Sequence, residues 1–337
     1  MHLTLITEAP FHAISGASLY HQRVLADYER AGDQIDVIAL DQPAALTLTD
    51  QIAPNALILV EASALRWLGE IIPTLQQRGA SVLVHHPSAL EPGTPEDERA
   101  ALKALERKFL PGFHRVIAAS APIAERLAHE FCVNPAQITV VTPGTDPQPG
   151  RQFDPTEPDG GRCTLLSLGT LVPRKGHDIL IQALASLRDL DWRLILAGAP
   201  RDPAYHKKLI DLVNDLDLAD RISLRPALSG EALEAVWHEA DIFVLATRFE
   251  GYGMAIAEAL ARGLPVAITA GGAAAHLVPP ACGIIAPVDD TAQFAKALRR
   301  LIFSPSLRAM IGAEAYRYAQ SLPTWPTQAA RLRAALI

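Results

Sequence analysis

Two glutamates flank a glycine-rich segment at the predicted start of a helix. Gly251 and Gly253 follow a buried apolar run, so backbone N–H groups at the helix start can approach an anion closely. Glu250 lies just before the helix, and Glu258 shares a helical face with Met254. Carboxylates beside an anion site suit a ligand that also presents hydroxyl groups, as a ribose or a sugar does. A purely structural arrangement, with Glu250 stabilising the helix start and Glu258 solvated, fits the same spacing.

A second segment joins a predicted strand to a predicted helix and carries two adjacent cations. Arg174 and Lys175 precede Gly176 at the mouth of a helix whose apolar positions suit one buried face. Fixed cations there can neutralise charge that develops on a diphosphate leaving group, and they can do so without a metal ion. A solvated basic turn is the alternative that the sequence leaves open.

Two histidines and one further turn complete the set of candidate residues. His85 and His86 stand at the end of a predicted strand, on the edge of a parallel sheet where ligands bind. Gly16, in the turn of residues 11–18, precedes a predicted helix and could admit a phosphate or an acceptor. Both features also occur in purely structural roles, so neither identifies a site by itself.

The elements that must position these residues alternate along the chain. Short β-rich apolar runs predict strands at 3–7, 34–40, 56–61, 80–85, 114–119, 138–141, 163–168, 192–197, 221–225, 241–246, 265–269 and 283–286. Helical patterns include 17–31, 63–78, 95–109, 120–131, 305–320 and 323–336. Such alternation predicts an α/β fold of two doubly wound parallel sheets with helices on both faces. Ligands are expected in a central cleft at the carboxyl ends of the strands.

A change in composition separates two halves of unequal charge. Residues 143–162 contain five Pro and four Gly with scarcely an apolar residue, which is typical of a linker. Residues 1–147 hold 10 Lys and Arg against 17 Asp and Glu, whereas the remainder holds 20 of each. The acidic first half argues against a nucleic-acid partner and against electrostatic docking on anionic lipid.

Cysteine and hydropathy patterns limit the expected compartment. Three widely separated cysteines give neither a disulfide framework nor a zinc spacing, which favours a reducing compartment. The apolar residues 3–6 have no basic region before them and indicate a first strand, not a signal peptide. No apolar run reaches the roughly 18 residues that a transmembrane segment needs. We therefore expect a cytoplasmic protein, with peripheral association at the inner membrane left open.

In combination, these motifs resemble those of retaining glycosyltransferases of family 4. Residues 250–258 are similar to the E-x7-E signature of that family, and residues 169–176 are similar to its Lys-Gly segment. Further short matches fall in the family's order: His85-His86, Ser120, 143–146, 197–198, 226–228, 271–272 and 282–284. The resemblance covers nearly the whole chain, more closely over 163–300 than over 1–145.

The resemblance implies a B-type glycosyltransferase (GT-B) fold of two Rossmann-like domains, with the last helix returning to the first domain. We therefore expect an acceptor-binding domain at 1–147 plus about 320–337, a linker at 148–162, and a donor-binding domain at 163–319. The implied reaction is metal-independent transfer of a sugar from an NDP-sugar, with retention of the anomeric configuration. No cofactor is expected beyond that co-substrate. The acceptor is open among small molecules, glycans and lipid-linked compounds.

Carried over by position, the family's roles fall on residues of both halves. Arg174 and Lys175 would bind the donor diphosphate. Glu250 would hold hydroxyls of the transferred sugar, and Glu258 would hold the donor ribose. The catalytic residues expected from the resemblance are Glu250, His85, His86, Lys175 and Arg174. Other expected donor contacts are Gly16, Thr170, Ala227, Leu228, Gly251, Gly253, Met254 and Ala255.

Some positions depart from the family pattern or leave a choice open. His85 or His86 would face the sugar, and the sequence does not choose between them. Thr170 stands where many members have an arginine, so one diphosphate contact of the family is missing or is supplied by Arg174. After Gly271 and Gly272, residues 273–276 read Ala-Ala-Ala-His where many members have a Pro-Glu pair.

Two other classes of function are compatible with the same fold. One is a sugar phosphorylase or a nucleotide-sugar epimerase, and the other is a non-catalytic protein that binds nucleotide sugars or glycans. Product analysis separates them, because only transfer releases NDP together with a new glycoside. The nucleotide base and the sugar stay open, since base contacts in this fold are largely made by the backbone.

Overall fold

A computed structural model of the protein describes residues 1–12, 15–151 and 162–337. The chain divides into two units. Unit 1 comprises Met1–Gly144 with Pro323–Ile337, and unit 2 comprises Thr145–Leu322. The predicted linker at 148–162 lies largely outside the described residues.

Unit 1 contains a parallel sheet of six strands with helices between them. Its strands are β1 (His2–Glu8), β2 (Gln34–Leu40), β3 (Leu57–Glu61), β4 (Ser81–Val84), β5 (Val116–Ala118) and β6 (Ile138–Val140). Its first helices are α1 (Gly16–Arg30), α2 (Leu65–Leu68), α3 (Ile72–Gln77), α4 (Glu96–Phe109) and α5 (Ala121–Glu130). The strand order is β2-β1-β3-β4-β5-β6, so the direction of winding reverses between β1 and β3. Ligands of doubly wound sheets bind outside the carboxyl ends at such a strand reversal.

Unit 2 repeats the scheme with a different strand order. Its strands are β7 (Cys163–Leu168), β8 (Trp192–Ala197), β9 (Ile222–Arg225), β10 (Ile242–Leu245), β11 (Val266–Thr269) and β12 (Gly283–Ala286). Its helices are α6 (His177–Ala185), α7 (Pro203–Asp215), α8 (Gly230–Glu239), α9 (Met254–Ala261), α10 (Ala274–Leu277), α11 (Thr291–Phe303) and α12 (Pro305–Ala319). The order β12-β11-β10-β7-β8-β9 places the strand reversal between β7 and β10.

The central strands of unit 2 are apolar throughout because both faces of the sheet are covered. Successive side chains on a strand point to opposite faces. Accordingly, Leu165 and Val244 belong to one buried cluster, whereas Leu166 and Phe243 belong to a second one. Continuous apolar runs of this kind, with no polar alternation, are what a parallel sheet between two helix layers requires.

The last helix, α13 (Trp325–Leu336), belongs to unit 1. It packs on α1, where the Tyr28 hydroxyl donates a hydrogen bond of 2.9 Å to the carbonyl of Ala329. Gly144 lies against the start of the helix, since a Cβ there would stand 2.4 Å from the backbone nitrogen of Trp325. A buried Gln328 then donates to the carbonyl of Thr142 over 2.7 Å. These contacts hold α13 against elements formed by the first 144 residues of the chain.

The two six-stranded parallel sheets with flanking helices confirm the predicted fold class. The stretch 63–78 differs from the prediction of continuous helix, because it is divided into α2 and α3. Gly69 lies between the two helices with a φ of +48°, a left-handed conformation that ends a helix. Pro73 then occupies the first turn of α3, where a missing N–H is tolerated. None of the helices in the described part of the chain combines the length and the hydropathy of a membrane-spanning segment.

Candidate functional site

The turn after β7 holds two cations in a fixed position. A short 3-10 turn, Pro173–Lys175, is followed by Gly176, which precedes α6 with a φ of +64°. A Cβ at Gly176 would lie 1.9 Å from the carbonyl oxygen of Ala246, so this turn packs directly on the chain leaving β10. The N–H of Arg248 also donates to the carbonyl of Arg174 over 2.7 Å. Both cations of the turn are thereby brought to the strand reversal of unit 2.

The segment after β10 is held by a second backbone contact, an isolated parallel bridge between Glu250 and Gly272. The N–H of Glu250 donates to the carbonyl of Gly271 over 3.2 Å. Its carbonyl accepts from the N–H of Ala273 over 2.8 Å. Cβ atoms at Gly271 and Gly272 would stand 2.4 Å from the carbonyl oxygens of Thr247 and Glu250, respectively. The two glycines therefore let the backbone after β11 approach closely enough to seat Glu250.

The Glu250 carboxylate receives its polar contacts on one oxygen. Lys175 Nζ donates to Oε1 over 2.6 Å, and the Thr247 hydroxyl donates to the same atom over 3.0 Å. A guanidinium nitrogen of Arg174 lies 3.7 Å from it. The Glu250 side chain is 7% exposed, and those of Arg174 and Lys175 are 14% and 13% exposed. The structure thus brings together the three residues of this half that the sequence named as catalytic: Arg174 and Lys175, expected at the diphosphate, and Glu250, expected at the sugar hydroxyls.

Opposing effects set the charge of Glu250. Burial alone would raise the pKa of its carboxyl. The charges of Lys175 and Arg174 outweigh burial, with hydrogen bonds from Lys175 and Thr247, so the pKa lies below its usual value. Glu250 is therefore ionised near neutral pH. Nearby, at the start of α6, burial and the charge of Lys175 lower the pKa of His177 to about 3, so this imidazole is neutral.

Helix α9 begins at Met254, with Gly253 as its N-cap at a φ of +109°. The sequence placed the helix start at Gly251, whereas the structure forms a bend there before the helix. Met254 and Ala255 lie in the first turn, where N–H groups lack intrahelical acceptors and favour an anion. Glu258 is half-buried, one turn further along the face of Met254. The glycines and both glutamates are therefore arranged around one helix start.

The other residues of unit 2 that the sequence predicted to contact the sugar donor lie at other strand ends. Thr170 follows β7 directly and is half-buried. Ala227 and Leu228 follow β9, which stands two strands away from β7 in the sheet. At about 4.8 Å per strand, the end of β9 that precedes them lies roughly 10 Å from the end of β7. They share the carboxyl edge with Glu250 but lie well to one side of its ion pairs.

Unit 1 has a buried polar cluster at its own strand reversal. Glu61 ends β3, and the hydroxyl of Thr7 on neighbouring β1 donates to its Oε2. His21 Nε2, on α1, lies 3.3 Å from the same oxygen. His85 follows β4, and its Nε2 lies 3.5 Å from His21 Nε2. The ring of Tyr20 packs edge-on against His85, with centroids 5.1 Å apart.

The charges in this cluster differ from those in unit 2. Burial lowers the pKa of His85 to about 3, although the charge of Glu61 acts in the opposite direction. Burial alone would raise the pKa of Glu61, but contacts with His21, His85 and Thr7 outweigh it and hold the pKa below its usual range. A single anion is thus surrounded by a neutral imidazole and hydrogen-bonding partners.

The structure distinguishes the two adjacent histidines by their partners. His85 joins the buried cluster, whereas His86 Nε2 lies 2.9 Å from a carboxylate oxygen of Glu91. Gly16 is the exposed first residue of α1, next to the N-cap Ser15. Part of the turn that was predicted to admit a phosphate, residues 13–14, lies outside the described residues.

Sequence reasoning missed several residues that support these sites. Thr247 was not singled out, although a polar residue directly after the buried strand β10 was a usable signal. Glu61 was another such signal, since a charged residue ends an otherwise apolar strand there. His21 and His177 gave no signal of their own, because a buried histidine on a helix is indistinguishable by sequence from a packed one.

Family models match the chain over both units. Residues 150–318, about half of the chain, match the model described as glycosyl transferases group 1. Residues 62–149 match the model described as Glycosyltransferase Family 4. The two matches adjoin, and together they include Lys175, Glu250 and His85.

Curated relatives are similar over part of their own length. A D-inositol 3-phosphate glycosyltransferase from Rhodococcus opacus is 27% identical over 266 residues, which cover 74% of this chain and 58% of that protein. The protein of the same name from Kineococcus radiotolerans is 27% identical over 289 residues, covering 77% of this chain and 65% of the relative. The chain thus spans less than two thirds of the length of these relatives.

Solved structures are similar over nearly the whole chain. A sucrose-phosphate synthase from Thermosynechococcus elongatus superposes with a TM-score of 0.81 at 18% identity, covering 99% of this chain and 98% of that one. The Anabaena protein Alr3699/HepE, in complex with UDP and glucose, gives a TM-score of 0.78 at 18% identity, covering 100% and 99%. At these identities the likeness concerns the fold.

Proposed function

The chain belongs to the group 1 glycosyltransferases, and on that premise we propose that it transfers a sugar from a nucleotide-sugar donor to an acceptor hydroxyl. The observation that carries the proposal is the buried Glu250 carboxylate, ion-paired with Lys175 and Arg174 at the strand reversal of unit 2. A sugar diphosphate presents an anion and several hydroxyls side by side. Cations and a carboxylate held next to one another match that pair of chemical groups.

The donor roles follow from the side chains and their supports. An ammonium has three N–H donors, so the Lys175 bond to Glu250 is compatible with a simultaneous phosphate contact. Arg174 adds a planar fork of donors for the same diphosphate. Glu250, as an acceptor-only carboxylate, would take hydroxyls of the sugar. The first turn of α9 would add N–H groups, and Glu258 would hold the ribose.

Other donor contacts are proposed at the flanking strand ends. Ala227 and Leu228, set to the side of Glu250 along the carboxyl edge, suit the nucleotide base. Thr170, directly after β7, suits the diphosphate. Gly16 is proposed as a phosphate contact from unit 1, and His85 or His86 as a contact to the sugar at the reacting carbon.

The proposed reaction retains the anomeric configuration. The bond from C1 of the sugar to the diphosphate oxygen breaks, and the acceptor oxygen forms a bond to C1 on the same face. The acceptor proton passes to an oxygen of the departing diphosphate, and NDP leaves. Arg174 and Lys175 stabilise the charge that develops on the leaving group. No protein nucleophile and no metal ion take part in this scheme.

The choice of substrates to test comes from proteins of similar sequence or fold. Alr3699/HepE was solved with UDP-glucose, which makes UDP-glucose a suitable first donor. The curated relatives carry the name D-inositol 3-phosphate glycosyltransferase, which makes inositol phosphates suitable first acceptors. Thermal shift with UDP-, GDP- and ADP-sugars would rank donors before any acceptor is known. A donor at about 100 times its Kd adds about 2.7 kcal/mol of stability.

The decisive experiment is product analysis with the donor that binds. We expect NDP release with formation of a glycoside, whose anomeric proton in NMR has the configuration of the donor. An altered nucleotide sugar would indicate an epimerase instead, and dependence on inorganic phosphate would indicate a phosphorylase. Donor binding without turnover across a broad acceptor panel would favour a binding protein. An inverted anomer would contradict the retaining scheme while leaving transfer itself intact.

Metal independence is tested separately. Because two fixed cations are proposed to neutralise the diphosphate, we expect transfer or donor hydrolysis to be undiminished after extensive chelation. Activity that disappears with the chelator and returns with Mg²⁺ or Mn²⁺ would show that Arg174 and Lys175 do not suffice. Measuring NDP release in both conditions with the same enzyme preparation gives a direct comparison.

A further inference from the structure

The polar cluster of unit 1 contains three side chains whose potential metal-ligand atoms converge. His21, Glu61 and His85 each offer one ligand atom, and these atoms all lie within 4.8 Å of one another. They come from three separate elements, since His21 is on α1, Glu61 ends β3 and His85 follows β4. When two imidazoles meet through their Nε2 atoms, at most one of them donates a hydrogen bond to the other. A cation bound between them accepts the lone pairs of both nitrogens.

The distances within the cluster agree with a tetrahedral ion. Zn²⁺ binds imidazole nitrogen and carboxylate oxygen at about 2.0–2.2 Å, so neighbouring ligands of a tetrahedral site stand about 3.4 Å apart. The His21–Glu61 and His21–His85 separations are 3.3 Å and 3.5 Å. The ligand atoms of Glu61 and His85 lie within 4.8 Å of each other, the limit that encloses all three pairs.

Neighbouring residues hold these three side chains in position. The Thr7 hydroxyl donates to Glu61 and fixes the carboxylate, as outer partners do at metal centres. Tyr20 packs edge-on against both imidazoles, with centroids 5.9 Å from His21 and 5.1 Å from His85. His21 is 3% exposed and Glu61 is 7% exposed, so a bound ion would be largely shielded from water.

We propose that His21, Glu61 and His85 form a binding site for a divalent transition-metal ion, with Zn²⁺ as the representative. Imidazole and carboxylate ligands favour Zn²⁺ and its first-row neighbours over Mg²⁺ or Ca²⁺, which prefer oxygen alone. Three protein ligands leave a fourth coordination position, the arrangement of sites that bind a further small ligand. In the bound state both imidazoles carry their proton on Nδ1.

This metal site is separate from the diphosphate contacts, for which the transfer reaction is proposed to need no metal ion. Its ligands belong wholly to unit 1, whereas the cations proposed for the diphosphate belong to unit 2. One of its ligands, His85, is also one of the two histidines proposed as a contact to the sugar. Metal binding is therefore measured directly and without substrate, so that its outcome does not depend on the proposed reaction.

The experiment titrates Co²⁺, a coloured substitute for Zn²⁺, into the full chain after chelator treatment and dialysis. We expect one equivalent to bind with the strong visible d–d absorption of a four-coordinate site, and Zn²⁺ to displace it with micromolar or tighter affinity. Glu61→Gln and His85→Ala should each weaken binding on the order of a hundredfold. His129→Ala removes an exposed histidine of the same unit and should change nothing.

Several outcomes would overturn the proposal. Absence of saturable Co²⁺ or Zn²⁺ binding by the unmodified chain would do so without any variant. Binding that survives both Glu61→Gln and His85→Ala, or that His129→Ala abolishes equally, would place the ion elsewhere. Should Glu61→Gln fail to fold, His85→Ala keeps the test open, because His85 is only half-buried and its truncation leaves the Thr7–Glu61 bond in place.

Discussion

Both units carry polar side chains at the same position of the fold, the strand reversal of a parallel sheet, but they occupy it with different chemistry. In unit 2, Glu250 is paired with two permanent cations, Lys175 and Arg174. In unit 1, Glu61 accepts a hydrogen bond from Thr7 and lies beside His21 and His85, and burial keeps the His85 imidazole neutral. Similar backbone topology therefore gives two different sites. The cations of one are suited to neutralise the charge of a diphosphate, and the nitrogen and oxygen atoms of the other are suited to bind a cation.

The difference follows from how each carboxylate is stabilised. Glu250 depends mainly on full charges, because Coulombic attraction outweighs the loss of hydration. Glu61 depends on hydrogen bonds from Thr7 and His21 together with the electrostatics of two histidines. Removing a cation from unit 2 should therefore have larger consequences than removing any neutral partner from unit 1.

The largest expected effect is the loss of one member of the unit 2 ion pairs. Lys175→Ala and Glu250→Ala should each reduce transfer or donor hydrolysis at least about tenfold, since the proposed leaving-group and sugar contacts are lost. Lys175→Ala should also lower the free energy of unfolding by up to about 3–5 kcal/mol, because it leaves a buried charge without its nearest partner. Activity assays and urea unfolding measure the two effects separately.

Two further variants separate structure from function at the same place. Lys207→Ala removes an exposed lysine that pairs with Asp211 on the surface of unit 2, and it should change neither property appreciably. The double variant Lys175→Met with Glu250→Gln should recover stability relative to Lys175→Ala but not activity. Unchanged activity in both single alanine variants would remove the basis for a site at Glu250.

A smaller loss of activity is expected from substituting the glycine whose backbone contacts that of Glu250. Gly272→Ala places a Cβ 2.4 Å from the carbonyl oxygen of Glu250 at a φ of +61°, so the carboxylate must shift. The displaced carboxylate is still present, so activity should fall by up to roughly tenfold, less than after loss of Lys175 or Glu250. Gly230 is the matched control, with a φ of +55° and nothing within 4 Å of an added Cβ. Gly230→Ala should cost about 1–2 kcal/mol of stability with normal activity, and equal activities in the two variants would contradict this account.

The smallest expected effects are two pH dependences of opposite sign, one in each unit. Burial raises the pKa of Glu106 in unit 1 to about 7, although N–H groups of Ser88 and Ala89 donate to it. The folded state therefore binds the proton more tightly than the unfolded chain, and this stabilisation is lost as the pH rises from about 4.5 to 7. Burial lowers the pKa of His177 in unit 2 to about 3, so its contribution is lost as the pH falls below about 6.5.

Between pH 7.5 and pH 5, each group should change the free energy of unfolding by about 2 kcal/mol, in opposite directions. Urea unfolding of Glu106→Gln and His177→Leu at the two pH values measures both contributions. Acidification should be more damaging to Glu106→Gln than to the unmodified chain, and less damaging to His177→Leu. The same pH response in both variants would show that burial does not set these two charges.

Much of the fold was predictable because short apolar runs rich in β-branched residues alternate with longer helical patterns along the chain. The strands at 34–40, 163–168 and 192–197 were predicted with the bounds that the structure has. The break at Gly69 was not predicted, since a glycine inside a helical pattern is often tolerated and only its positive φ ends the helix here. Tertiary packing, not local pattern, decides such cases.

The candidate site was predictable only as far as its motifs were local. Arg174, Lys175 and Glu250 stood out because glycines mark the turns that carry them. Their convergence depends on the strand order β10-β7, which joins segments some 75 residues apart along the chain. His21 and Glu61 were missed for the same reason, since only the pairing of β1 with β3 brings their neighbourhood together.

Helix α13 has a consequence for how the protein is made. The ribosome releases most of unit 1 first, then all of Thr145–Leu322, and only afterwards the helix that covers Tyr28 and Gly144. At roughly 5–20 residues per second, unit 1 waits on the order of ten seconds or more for its last piece. During that interval the surface later occupied by Trp325 and Leu332 is uncovered, so the nascent chain is most vulnerable to association after its first sheet has formed.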